Sequence, residues 1–330
     1  MSERNSTYPF ASARVKSMEN RMLTQEKLAR VLEAKDFEDA MRSLQELGYG
    51  SSVSGKASFE QLIEQELKEA DDLLEFLSPS DLFIKLMRAE KDYHNLKVLI
   101  KLEMKGESID AAELFPGNIS VDTLRRAVSE TDYHELPANI AGALTYIDKR
   151  FSTVPDVSVI GTELDQAYAK EISAFAAQMN DELVTAYFTA YFDLSNIIAF
   201  MRVRAFYGRD AFENAYLEGG SIEKSVFLNA FELSDDNVFA AVAKGEYARI
   251  LSDAIEDYHK TKSLYMLEKA KDDYLLLLIK QHRHDMFGIG PLFGYYIGKQ
   301  REAAAVRMVM TAKQGGVDTE VVQKRLKELY

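Results

Sequence analysis

One glycine-rich segment, Gly288–Gly294, has residues that could cradle the phosphates of a dinucleotide. Such a loop needs closely spaced glycines, so that backbone N–H groups can approach the pyrophosphate, and a βαβ unit around it. Here the third glycine lies four residues after the second, and Pro291 removes one of the N–H groups. Proline suits the first turn of a helix instead. We therefore predict a helix start at this segment and no nucleotide site.

Two further pairs of residues could carry chemistry. His282 and His284 could ligate a metal, but two positions apart on a helix their rings diverge, and no second ligand motif accompanies them. Ser221 and Lys224 match the Ser-x-x-Lys pattern of a class of hydrolases whose companion motifs are absent. We expect Ser221 to cap a helix. The sequence thus predicts no catalytic residue, no cofactor and no metal site.

Polar residues recur in a long repeat that occurs three times. Each copy has an acidic residue, then Asn or Ala three positions later, a branched apolar residue, and a helical stretch. The copies begin at Asp92, Asp193 and Glu302, which are 101 and 109 residues apart. The helical stretches run to glycines: Gly106, Gly208 and Gly315-Gly316. Repetition at this distance indicates three similar helical units rather than a solenoid, and it favours a shaped connector over an enzyme.

Two hypotheses explain the polar residues of the long repeat. Residues three apart share a helix face, so Asp92 and Asn95 lie side by side, as do Asp193 and Asn196. They could make hydrogen bonds between the protein's own helices. Alternatively, the three helices and the cations that follow present a polar wall to a partner. The partner-binding hypothesis comprises these residues: Asp92, Asn95, Lys97, Lys101, Asp193, Asn196, Arg202, Arg204, Arg301, Glu302 and Arg307.

Residue periodicity predicts an all-α protein. Apolar residues recur at helical spacing, alternating β-branched runs are scarce, and the chain has only six prolines. Hydroxyl residues that could cap helix starts stand at Thr24, Ser120 and Thr162.

A second, shorter apolar repeat interlocks with the long one. It begins at Leu28, Leu124 and Val226, and the start of a fourth copy is at Val321. Each unit is therefore predicted to be a pair of long helices with a small helical cap. We predict three lobes, residues 1–117, 118–220 and 221–330.

Composition excludes several classes of function. The net charge of −13 argues against nucleic acid, whose phosphates need clustered Lys and Arg. Without cysteine, disulfides, thiolate metal sites and cysteine nucleophiles are excluded. The weakly charged stretch 183–201 includes Asp193 and Asn196, so we predict a buried core helix rather than a membrane span. The first residues do not fit a signal peptide, and we expect a soluble, cytoplasmic protein.

The C-terminal part of the chain resembles a known family. The pattern Gly288-x-x-Pro291-Leu292, then Tyr295–Lys299, then Glu302 and Val306–Val309, resembles the C-terminal signature of the C subunit of archaeal and bacterial V-type (A-type) ATPases. The eukaryotic counterpart is the d subunit. The segments that fit the family's opening and first-domain motif are Tyr8–Val15, Leu28–Asp36 and Asp92–Lys97. Two positions depart from the family pattern: Gly290 stands where an acidic residue is common, and Ala305 where Asn is expected.

This resemblance implies a funnel-shaped, all-helical protein with three lobes and pseudo-threefold symmetry. Members cap the membrane rotor ring and act as a socket for the central shaft, so that torque passes between ATP hydrolysis or synthesis and ion transport. The resemblance implies no catalysis, no cofactor, no nucleic acid and no small-molecule substrate, and membrane association only through partner subunits. Two other classes stay open: a helical scaffold or regulatory protein, and an all-α enzyme with a pocket between lobes.

Overall fold

The computed structural model describes residues 7–53, 57–109, 114–153 and 156–330. Within these ranges every regular element is a helix, which confirms the predicted all-α class. The helices are α1 (Tyr8–Glu19), α2 (Gln25–Leu32), α3 (Phe37–Glu46), α4 (Phe59–Leu77), α5 (Asp81–Lys105), α6 (Val121–Glu130), α7 (Ala138–Phe151), α8 (Ser158–Met179), α9 (Glu182–Phe206), α10 (Arg209–Ala215), α11 (Lys224–Asn229), α12 (Asp235–Val242), α13 (Glu246–Ile250), α14 (Ser252–Thr261), α15 (Tyr265–Gln281), α16 (Gly290–Gln314) and α17 (Thr319–Arg325).

The three copies of the long repeat form the three 25-residue helices α5, α9 and α16. Just beyond the end of each lies a glycine with a positive φ angle: Gly106 at 67°, Gly208 at 120° and Gly316 at 64°. Glycine has no Cβ, so it adopts this backbone conformation without the steric cost that other residues meet. The predicted glycine ends of the long helices are therefore confirmed.

Local capping chemistry explains some helix starts. Thr24 and Ser120 each accept a hydrogen bond from the N–H three residues later, so both are N-caps as predicted. Pro291 lies in the first turn of α16, which confirms the helix start predicted at the glycine-rich segment.

Two predicted caps are wrong. Thr162 lies inside α8, and its hydroxyl donates back to the Ser158 carbonyl oxygen at 3.3 Å. Ser221 stands two residues before the N-cap of α11, which is Glu223. The Ser221 hydroxyl donates instead to the Asp193 carboxylate at 2.6 Å. In both cases the hydroxyl donates to an oxygen elsewhere and does not accept an N–H at a helix start.

The chain divides into two compact units, one formed by Met1–Asp81 with Asp272–Tyr330 and the other by Leu82–Lys271. In the first unit, both ends of the sequence share one core, where Leu28 and Val31 belong to the same cluster as Val306 and Val309. The second unit has a core that includes apolar residues of α5, α6, α7 and α8. This division does not resolve three lobes, whose boundaries near 117 and 220 stay a prediction.

Helix α9 is a core helix of the second unit. Among the described residues it is the one helix that is long and apolar enough for a membrane span. The mean hydropathy of its most apolar 18-residue stretch is 1.3, yet 67% of that stretch is buried inside the protein. Two of its polar residues, Asp193 and Asn196, are fully buried. Buried polar groups of this kind need hydrogen-bond partners, which the protein itself supplies, as described below. The predicted buried helix over 183–201 is thus confirmed.

In the first unit, Tyr330 packs against two glycines of α16. A Cβ on Gly298 would lie 2.9 Å from the Tyr330 Cβ and 2.6 Å from the Met22 Cε. A Cβ on Gly294 would overlap the Tyr330 ring, whose Cε2 it would approach to 2.9 Å. The two glycines therefore form a notch for the tyrosine ring.

We predict opposite effects for two Gly→Ala changes in helices. Gly298→Ala lowers the free energy of unfolding by roughly 1–3 kcal/mol, because the new methyl group overpacks the Tyr330 contact. Gly142→Ala in α7 raises it by about 0.5–1 kcal/mol, because nothing lies within 4 Å of the new Cβ and alanine favours the helix. Urea unfolding followed by circular dichroism measures both. Equal or inverted effects would show that Tyr330 does not occupy this notch.

Candidate functional site

In the first copy of the long repeat, Asp92 and Asn95 hold the loop that leads to α6. The Asn95 side chain forms two hydrogen bonds with one residue: its Nδ2 donates to the Phe115 carbonyl oxygen at 2.7 Å, and its Oδ1 accepts from the Phe115 N–H at 3.0 Å. The Asp92 carboxylate accepts from the N–H groups of Asn118 and Ile119 at 2.9 and 3.1 Å. The two residues thus fix the loop at two points.

The second copy repeats this arrangement. Asn196 Nδ2 donates to the Leu217 carbonyl oxygen and Asn196 Oδ1 accepts from the Leu217 N–H, both at 2.8 Å. Asp193 accepts from the Ile222 N–H at 2.9 Å and from the Tyr247 hydroxyl at 2.9 Å. Asp92, Asn95 and these two residues therefore make hydrogen bonds inside the protein, but mainly to loop backbone groups and not between helices as the first hypothesis had it.

The third copy keeps the acidic residue and loses the amide. Glu302 is buried and accepts from the Leu23 N–H at 2.6 Å. Ala305 stands where the other copies have Asn, and it lies buried on the apolar side of α16. Glu302 also forms an ion pair with Lys299, whose ammonium group binds Glu66 at 2.6 Å as well.

All three acidic residues perform the same task. Each accepts the N–H of the apolar residue directly before the N-cap of a short helix: Leu23 before α2, Ile119 before α6, and Ile222 before α11. In the first two copies a glycine lets the loop approach the carboxylate, since a Cβ on Gly117 or Gly220 would overlap it. The acid of the third copy binds ahead of the N-terminal helix α2, and not ahead of α17, which contains the predicted fourth short copy.

Burial shapes the electrostatics of these groups. The pKa of Asp92 is raised to about 6, because burial disfavours its charge more than the N–H groups of Ile119 and Asn118 favour it. Burial also opposes the charge of Lys299, but the carboxylates of Glu302 and Glu66 outweigh this and hold the pKa of Lys299 above its usual value. Removing one member of such a buried ion pair leaves the other charge uncompensated, which is strongly destabilising.

Three of the predicted cations make contacts inside their own unit. These contacts are Lys97 with Asp165, Arg204 with the carbonyl oxygens of Phe231 and Leu233, and Arg301 with the carbonyl oxygens of Asp272 and Glu328. Their guanidinium and ammonium groups therefore tie helices to neighbouring segments.

The other three predicted cations are exposed. Lys101 points to solvent on α5. Arg202 binds Glu268 at 2.7 Å, with its side chain 54% exposed. Arg307 binds both carboxylate oxygens of Glu60, at 2.8–3.0 Å. An exposed pair such as Arg202–Glu268 contributes only about 0–1 kcal/mol, so Arg202 can exchange partners at low cost.

The structure thus places the eleven predicted residues in three roles. Five are buried polar residues that bind loop backbone groups, which we call the staples: Asp92, Asn95, Asp193, Asn196 and Glu302. The others are three cations with internal contacts and three exposed cations. Within the described part of the chain, no group of three or more His, Asp and Glu side chains is placed to hold a metal ion. Sequence reasoning missed the buried Lys299–Glu66 contact. The sequence carries a signal only for the neighbouring Lys299–Glu302 pair, whose members stand three apart on one helix face. Glu66 lies 233 residues from Lys299.

Fold and contacts together define an all-helical protein in which each of three repeated long helices binds the residue that precedes the N-cap of a short helix. The profile of the ATP synthase (C/AC39) subunit family matches residues 11–325, and the chain belongs to this family. Family membership makes it a non-catalytic subunit of a rotary ATPase, in agreement with the predicted family and the predicted lack of enzymatic activity.

Individual relatives are similar along most of their length. The C subunit of the A-type ATP synthase of Methanocaldococcus jannaschii is 24% identical, with 97% of this chain and 86% of the relative covered. Its counterpart in Methanosphaera stadtmanae is also 24% identical, over 98% and 87%. The C subunit of the V-type sodium ATPase of Enterococcus hirae is 22% identical, over 82% and 83%.

We predict that Asn196→Asp destabilises the protein by roughly 3 kcal/mol at pH 7. The new carboxylate oxygen faces the Leu217 carbonyl oxygen, where Asn196 donates a hydrogen bond. The cost shrinks on acidification, since a protonated Asp can donate to that carbonyl. Asn214→Asp, an exposed position in the same unit, is the control for added charge. Urea unfolding at pH 5 and pH 7 measures the effect. Equal stability of the two variants at pH 7 would show that the Asn196 amide does not hold the Leu217 backbone.

We also predict a pH dependence from Asp92. Its pKa in the folded protein, about 6, lies above its ordinary value of 3.8, so the folded state holds the proton more tightly. The stability that this proton contributes is therefore fully present below pH 4 and is lost as pH rises through 6, a change of roughly 2–3 kcal/mol. The measurement compares wild type with Asp92→Asn between pH 4 and pH 8. A constant difference would mean that the N–H groups cancel the effect of burial.

Proposed function

We propose that this chain is the central-stalk subunit of a rotary A- or V-type ATPase, which caps the membrane rotor ring and receives the central shaft. The match to the ATP synthase (C/AC39) subunit family over residues 11–325 carries this proposal. In this role the chain transmits torque between ATP hydrolysis or synthesis and ion transport. Its partners are then the shaft subunits and the ring, and it lies at the cytoplasmic face of the membrane through them.

The internal contacts support a mechanical role. A protein that passes torque must keep its helices in place under load, and it needs no pocket for chemistry. The buried staples Asp92, Asp193 and Glu302 join each long helix to the start of a short one. Hydrogen bonds to charged groups contribute about 1.5–3 kcal/mol each and have defined geometry, so they resist sliding of one element along another.

The same contact in all three copies of the long repeat also supports a chain built from three similar units. Each contact joins one predicted lobe to another, and the boundaries near residues 117 and 220 stay part of the proposal. Of the eleven candidate contact residues, we assign direct partner contact to the exposed cations Lys101, Arg202 and Arg307. The buried residues then act indirectly, since they hold the helices that present these charges. Charged contacts suit a joint that must be specific in register, because they contribute to specificity and association rate more than to affinity.

A pull-down from detergent-solubilised membranes with the tagged chain tests this function. We expect rotary ATPase subunits to co-purify. In membranes depleted of the chain, we expect ATP hydrolysis to continue without ion pumping, because catalysis and transport lose their mechanical link. Exclusively soluble partners would indicate a helical scaffold or regulatory protein instead. Turnover of a small molecule by the purified chain would indicate an enzyme.

A further inference from the structure

A cavity of 530 Å³ lies at the C-terminal end of α9 in the second unit. Its walls come from the last turns of α9, the segment after α11, the end of α14 and the residue before α15. The lining residues are Met201, Arg202, Arg204, Ala205, Phe206, Gly208, Phe231, Tyr258, Lys262 and Leu264. We call it the α9-end cavity. Its volume falls within the range of about 300–1,000 Å³ that is typical of binding sites.

Cationic side chains line the α9-end cavity in a protein that is acidic as a whole. Arg202, Arg204 and Lys262 line it, and none of the described residues that line it is acidic, although the chain carries a net charge of −13. Arg204 is anchored by the carbonyl oxygens of Phe231 and Leu233. The Arg202 ion pair with Glu268 is exposed on both sides, at 54% and 44%, so an incoming carboxylate can replace Glu268 at low cost.

Aromatic side chains form the apolar part of the cavity. The Tyr258 ring carries the Lys262 ammonium group 5.3 Å from its centroid. Phe231 packs edge-on against Phe200, with the ring centroids 5.1 Å apart. At the rim, Phe206 is 78% exposed. A large exposed aromatic side chain beside arginines is typical of the hot spot of a protein–protein interface, where a few residues contribute most of the binding energy.

We propose that the α9-end cavity binds an acidic side chain that a partner protein presents next to an apolar one. The carboxylate contacts Arg202 in place of Glu268, and the apolar neighbour covers Phe206. This inference rests on the proposed function, because it takes the partner to be another subunit of the rotary ATPase. A protein segment fits better than a free anion, since a free anion would leave the Phe206 ring in water.

Photo-cross-linking in the assembled complex tests the location and the chemistry of the partner. Phe206 is replaced by p-benzoylphenylalanine, the complex is purified from membranes and irradiated, and the cross-linked peptides are identified by mass spectrometry. We expect a peptide of another subunit with an Asp or Glu within four residues of the cross-linked position. Cross-links to lipid alone, to a segment without acidic residues, or none at all would overturn the inference.

A pair of charge reversals tests the role of the cavity's charge. Arg202 and Arg209 are matched, with side chains 54% and 55% exposed and one ion pair each, but Arg209 does not line the cavity. We expect Arg202→Glu to weaken rebinding to a complex stripped of this chain roughly tenfold, and Arg209→Glu to change it less than about twofold. The difference should shrink at high salt. Equal effects would overturn the inference.

These experiments separate the two proposals. If the chain does not co-purify with rotary ATPase subunits, the proposed function fails. If it assembles normally and Arg202→Glu rebinds as well as Arg209→Glu, the proposed function stands and the α9-end cavity is not the docking site. Unfolding midpoints of both variants provide a check on folding, and we expect them to be similar because each change removes a single exposed ion pair.

Discussion

A buried carboxylate that accepts the N–H just ahead of a helix is the contact on which this architecture depends. That N–H lies outside the hydrogen-bond ladder of the helix it precedes, so it needs an acceptor from elsewhere. Asp92, Asp193 and Glu302 supply it from the middle of the three long helices. A carboxylate is costly to bury without donors, and a loop N–H is costly to bury without an acceptor. Each therefore requires the other, and their pairing sets where a short helix begins relative to a long one.

The third copy shows how the same task is done by different chemistry. Glutamate reaches one methylene further than aspartate, and Glu302 contacts a segment from the other end of the sequence. It accepts one loop N–H where Asp92 accepts two, and the Lys299 ammonium compensates the remaining charge. Ala305 in place of Asn leaves that helix to be held by apolar packing around Val306 and Val309. The three copies thus make the same contact with different sets of partners.

Local patterns in the sequence predicted the helical class, the long helices and their glycine ends, because periodicity and positive φ act over a few residues. The spacing of Asp92 and Asn95 also predicted a shared helix face. What these residues bind could not be read in the same way, since Phe115 and Ile119 approach them only in the folded chain. Ser221 failed as a predicted cap for the same reason: the competing partner, Asp193, lies 28 residues away in sequence. The hydrogen bond from the Leu23 N–H to Glu302 joins residues 279 apart in sequence, so no local pattern could predict it.

The joining of both chain ends in one core has a consequence for synthesis on the ribosome. Leu28 and Val31 emerge from the ribosome well before the segment that carries Val306 and Val309. At about 5–20 residues per second, the early apolar faces wait on the order of 10–60 s for their partners. The second unit, Leu82–Lys271, is contiguous and has no such wait. The first unit therefore closes only after the segment that begins at Asp272 has left the ribosome.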